Sequence, residues 1–100
     1  MSTVRDARDT ISRIAQATND LYWSRDEDGH MRDLLKVELD YIVEHNRIVD
    51  QFARYVDSSA DIYGRGTDTY AMIVETAVKQ QAKELQAAWD AMSDAREEAR

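Results

Sequence analysis

The residues of this chain best suited by type and spacing to do chemistry are Glu38, Tyr41, Glu44 and His45. On a helix, separations of three, four and seven place Glu38, Tyr41 and His45 on one face. Glu44 adds a second carboxylate. A carboxylate–imidazole set on a helix is the raw material of a metal-binding bundle, because di-iron helical proteins hold their ions with inward-facing Glu and His. Those bundles use Glu-x-x-His on two helices and a further Glu on two others. Here Glu38 and His45 stand seven apart, and the only other histidine, His30, lies beside Asp28 and Asp33 in a different segment. A ferritin-like oxidase or storage role through Glu38, Glu44 and His45 is therefore the alternative reading. The main reading expects no cofactor and no catalytic group.

Other chemistries find less. No Gly-x-Ser-x-Gly elbow is present for Ser/His/Asp catalysis. Gly64-Arg65-Gly66-Thr67 lacks the spacing and the preceding strand of a phosphate loop, and reads as a turn with Arg65 at its tip, available to an acidic partner.

The element that must position these groups is one long helix. Between Met31 and Tyr63 three columns repeat every seven residues: Leu34, Tyr41, Ile48, Tyr55, Ile62; Leu35, Ile42, Val49, Val56, Tyr63; and Met31, Glu38, His45, Phe52, Ser59. The first two are apolar or aromatic throughout, and the third carries polar groups. Such a stripe marks a helix packed in a bundle or coiled coil.

Around it the pattern predicts helices over about 3–23, 28–63 and 68–97, with Thr3 and then Thr67 or Asp68 as caps and Gly64 as the stop. The chain has no proline and only three glycines, which suits long uninterrupted helices. Short loops make successive helices antiparallel neighbours. The expected fold is all-α, a single domain over residues 1–100, with a short N-terminal helix on one half of a long helical hairpin. In that register Glu38 meets Arg13 and His45 meets Asp6, polar pairs that fix the position of the first helix.

The other half of the hairpin is over-supplied with apolar side chains. Ile48, Phe52, Tyr55, Val56, Ile62, Tyr63, Arg65, Tyr70 and Ile73 form the expected protein interface, and two hairpin tips packing as a four-helix bundle would cover it. A homodimer is the expected state.

Composition excludes several classes. The 100 residues carry a net charge of −7 and are 43% hydrophobic and 33% charged. A net negative chain does not offer the clustered Lys and Arg of a duplex nucleic-acid surface. No run approaches the roughly 20 apolar residues of a membrane span. The N-terminus is too charged for a signal peptide, and cysteine is absent, so a cytoplasmic protein without disulfides is expected. The functional expectation is a non-enzymatic, acidic interaction module, an adaptor or inhibitor binding a larger protein. Antitoxins and phage-encoded inhibitors are its analogues in type only.

Overall fold

Each helix begins and ends where side chains can satisfy its free backbone groups. The computed structural model, which describes residues 3–99, contains α1 (Val4–Tyr22), α2 (Lys36–Tyr63) and α3 (Asp68–Glu98). Thr3 caps α1: its hydroxyl accepts the Asp6 N–H at 3.0 Å, and the Asp6 carboxylate accepts the Thr3 N–H at 3.3 Å. Thr67 caps α3 by accepting the Tyr70 N–H at 3.2 Å. Gly64 ends α2 with φ +82°, a conformation that L side chains rarely adopt, while its N–H bonds to the Ala60 carbonyl at 2.9 Å.

The start of α2 departs from the sequence expectation. Helix was expected from about residue 28, but residues 23–35 form a long connection and α2 begins at Lys36. The physical reason lies in Asp26. One of its carboxylate oxygens accepts both the Asp28 and the His30 N–H at 2.9 Å, and Gly29 turns the chain with φ +83°. Asp26 N–H then reaches the His30 carbonyl at 2.8 Å and Arg32 N–H the Ser24 carbonyl at 2.9 Å, giving a small antiparallel bridge between Arg25 and Met31. An Asx turn thus offers the backbone a partner that competes with helix.

That longer connection shifts α1 along α2 by about three helical turns relative to a short-loop hairpin. Ile14, Ile48 and Leu85 share one buried layer, and Leu21, Tyr41 and Met92 the next. Residue numbers therefore rise together in α1 and α3, which run parallel, while α2 runs against both. The first helix reaches nearly to the hairpin tip, so the bare two-helix segment is much shorter than the sequence suggested.

The three helices do not pack equally. α3 packs along both α1 and α2, whereas α1 and α2 meet more narrowly, their buried contact including the Thr18–Tyr41 hydrogen bond. A shallow apolar surface is left between them along the outer side of α2. The molecule measures 53 × 27 × 19 Å. No helix is long and apolar enough to cross a membrane among the described residues.

Ile48 and Leu85 occupy the same layer at 2% and 0% exposure, so truncating either to Ala should cost about 2–5 kcal/mol. Val49, one residue along and 38% exposed, should lose less than about 1 kcal/mol on the same change. Urea unfolding of Ile48→Ala, Leu85→Ala and Val49→Ala checks this ordering.

Candidate functional site

The polar column of α2 is buried, and each of its members has a different fate. Glu38 is fully enclosed. Its carboxylate accepts two hydrogen bonds from the Arg32 guanidinium, Nη1 to Oε1 at 3.2 Å and Nη2 to Oε2 at 3.0 Å, a side-on fork. Arg96 Nη1 reaches Oε2 from α3 at 3.4 Å, and the Leu35 N–H donates to Oε1 at 2.8 Å, so Glu38 also caps its own helix. Arg32 Nε donates in turn to the Ser24 hydroxyl at 3.1 Å, and Ser24 to the Leu21 carbonyl at 2.8 Å. One carboxylate therefore ties together the end of α1, the connection, the start of α2 and the end of α3.

The expected Glu38–Arg13 and His45–Asp6 pairs are not formed. Arg13 instead donates to Gln86 of α3 at 2.7 Å, and Asp6 is spent on the Thr3 cap. Both corrections follow from the longer connection, which slides α1 along α2. Sequence reasoning missed Arg32 and Arg96 as the partners of Glu38. Arg32 would point away from Glu38 if both lay on one helix, and only the Asp26/Gly29 turn signal could have shown that they do not.

His45 is buried at 8% exposure, and neither ring nitrogen has a hydrogen-bond partner among the described residues. Tyr41 lies beside it, with ring centroids 6.0 Å apart, but its hydroxyl is committed elsewhere. The Thr18 hydroxyl donates to the Ile14 carbonyl at 2.7 Å, so Tyr41 must be the donor in the 2.6 Å Tyr41–Thr18 contact. Burial pushes the Tyr41 phenol pKa up and keeps it protonated. Glu44 lies nearer the surface and is paired with Arg47, whose Nε donates to it at 2.9 Å; this pairing holds its pKa below the usual glutamate value.

Glu38, Glu44 and His45 thus do not converge on a common point, and the donor set needed for a metal site is not assembled. Asp26, Asp28 and His30 do bring ligand atoms within 4.8 Å of one another, in an exposed turn. The backbone bonds to the Asp26 carboxylate account for that clustering.

The expected interface residues also separate. Ile48 belongs to the core, and Phe52 packs against it. Val56, Tyr70 and Ile73 are half-buried. Tyr55, Ile62 and Tyr63 remain exposed, joined by Met72, which the sequence analysis did not single out. Arg65 lies at the exposed tip near Asp57, at 3.9 Å.

A second surface emerges between α1 and α2. Two depressions follow one another there, of about 410 Å³ beside Ala15, Asn19, Ile42 and Asn46, and about 610 Å³ beside Ser12, Val49, Ala53 and Val56. Leu39 and Val43 continue the apolar surface at 49% and 69% exposure. No protein-family model, no curated protein and no solved structure matches the chain.

Two measurements test these assignments. Burial raises the Glu38 pKa, but the hydrogen bonds from Arg32, Leu35 and Arg96 and the Arg32 charge outweigh it, leaving the net value below the ordinary 4.5. A carboxyl depressed in the folded state stabilises fully above its unfolded pKa and loses that contribution as pH falls through its folded value. Thermal stability should therefore drop as pH falls below 4.5, and Glu38→Gln should show a weaker drop from a lower starting point. Substitution of His45 is expected to have the opposite sign. Replacing it with Leu removes two unpartnered buried polar atoms and should raise stability by about 1 kcal/mol in chemical denaturation.

Proposed function

We propose that this protein is a non-enzymatic helical interaction module, a homodimeric adaptor or inhibitor that works by binding a larger protein. The observation that carries the reading is the surplus of apolar surface on α2. Ile62 is 72% exposed at the tip and Val43 69% exposed midway along the helix. Exposed apolar surface grouped in this way is the mark of a contact surface.

The tip suits the larger partner. Tyr55, Ile62, Tyr63 and Met72 present aromatic and flexible apolar groups next to Arg65, and aromatic and Arg residues commonly dominate interface energies. The buried polar groups suit a structural role. Glu38 is saturated by two guanidinium groups and a backbone N–H, so it has no free lone pair directed at a substrate.

Affinity capture from the native host, run in parallel with wild type and Ile62→Asp/Tyr63→Asp, tests this function. Both side chains are exposed, so the double variant should keep the wild-type unfolding midpoint. A protein retained by wild type and reduced at least about 10-fold by the variant is the expected result. Equal retention by both would reject the tip as the contact.

A further inference from the structure

The connection between α1 and α2 encodes a second structure that the fold does not use. Met31, Leu34 and Leu35 continue the heptad columns of α2, and Ser24 and Glu27 have the spacing of a capping box. No proline interrupts the segment. Residues 24–35 can therefore extend α2 by about three turns. What holds them bent is the Asp26 carboxylate on the Asp28 and His30 N–H groups, Gly29 at φ +83°, and the Arg32–Glu38 pair. The bent form leaves apolar groups in water. Tyr22, Trp23, Met31 and Leu35, all within or beside the connection, are 46%, 56%, 44% and 37% exposed.

A straightened connection takes α1 out of its own chain's groove. In the bent form Ile14 shares a layer with Ile48 and Leu85, and Leu21 with Tyr41 and Met92. An α1 folded back across a short loop would lie about three helical turns from those layers and leave Ile48 and Leu85 bare. The same helix of a second molecule can fill them. Its main contacts are with α3, the element farthest from it in sequence. Ile14 on Leu85, Leu21 on Met92, the Arg13–Gln86 hydrogen bond at 2.7 Å and the Thr18–Tyr41 hydrogen bond at 2.6 Å can all re-form when α1 comes from another copy.

We propose that this protein dimerises by exchanging α1: the connection straightens, and each α1 packs in the α2–α3 groove of the other copy. The inference rests on the interaction-module reading and identifies its homodimer as an exchanged one. The layers of the bent form fix the geometry. Ile14 with Ile48, and Leu21 with Tyr41, are antiparallel pairs whose residue numbers sum to 62. Carried through a straight connection, that sum puts residue 31 of each copy at the two-fold axis. Met31 then meets its own counterpart, and Trp23 lies level with Leu39 of the second copy. Apolar groups left exposed in one molecule are thus covered in two. Straightening gives up the Arg32–Glu38 fork, because six positions on a continuous helix put these two on different faces, while Arg96 stays on Glu38. The exchange trades one ion pair and a turn for helical backbone and a new apolar contact.

The chain has no cysteine, so single thiols report which molecule each α1 occupies. Arg13→Cys and Gln86→Cys, at two side chains that touch between α1 and α3, are prepared as separate full-length variants. They are unfolded together in urea, refolded at tens of micromolar and treated with a short bismaleimide. Molar mass by light scattering is measured on the unmodified protein and on Gly29→Ala. The expected result is a dimer in which the mixture gives a covalent pair and neither variant links to itself, because equivalent residues lie far apart across the two-fold axis. A Cβ at Gly29 meets no atom within 4 Å, so Gly29→Ala acts through the backbone alone: it strains the bend and favours helix. It should lower the dimer dissociation constant about 10-fold or more, and Asp26→Ala, which removes the acceptor of the turn, should act in the same direction. An unchanged or raised constant in both variants overturns the straightened connection. A dimer without the link between residues 13 and 86, or with either variant linked to itself, overturns the exchange and leaves the homodimer standing through another surface. A strict monomer in the unmodified protein overturns the exchange and the homodimer together, while capture of a larger protein through Ile62 and Tyr63 is tested on its own.

Discussion

The fold depends on one buried carboxylate. Glu38 sits where the end of α1, the connecting segment, the start of α2 and the end of α3 meet, and it accepts donors from Arg32, Leu35 and Arg96. Desolvating a carboxylate is costly, and two guanidinium groups plus a backbone N–H are what offset that cost. The same contacts set the geometry elsewhere. Arg32 can reach Glu38 only because residues 23–35 are not helical, and that length of connection decides how far α1 travels along the other helices. The extent to which the hairpin tip is covered therefore follows from a connection at the opposite end of the molecule, one that the Arg32–Glu38 pair ties down.

Polar and apolar columns exchange the roles that a simple reading of hydrophobicity assigns. The column holding Glu38, His45 and Ser59 lies at the centre, while the wholly apolar column through Leu35, Val49 and Tyr63 is left partly open. Polar groups at the centre constrain which side chains can face one another. Glu38 demands Arg32 and Arg96, and Tyr41 demands Thr18. The apolar column makes no such demand and could pack against many surfaces. Specificity therefore resides in the buried polar column and not in the apolar one.

Much of the architecture was legible in the sequence because helical periodicity and capping are local signals. Thr3, Gly64 and Thr67 sit at the boundaries that their side chains or backbone freedom predict, and the all-α class follows from the heptad columns. The start of α2 was not legible in the same way. Met31, Leu34 and Leu35 continue the apolar period of the helix, while Asp26 and Gly29 favour a turn, and the turn prevailed by satisfying backbone groups through the Asp26 carboxylate. Everything that depends on the register of α1 was misplaced with it, including the partners of Glu38, Arg13, Asp6 and His45. The side of α2 left uncovered was equally hidden. Periodicity shows that a helix has two apolar faces but not which neighbour takes which, and the packing of α3 along both other helices is a property of three-dimensional structure alone.

The central position of α3 has a consequence for how the chain is made. α1 finds its main partner not in the helix that follows it but in the last one, with Ile14 layered on Leu85 and Leu21 on Met92. A helix of this length is marginal in water without tertiary contacts. During synthesis α1 leaves the ribosome long before Leu85 and Met92 exist, and closing that distance in sequence carries a loop entropy that local contacts do not. The first helix must therefore wait, its apolar face uncovered, until the last is translated. Over that interval the nascent chain is most open to capture by chaperones or by a neighbouring copy on the same message.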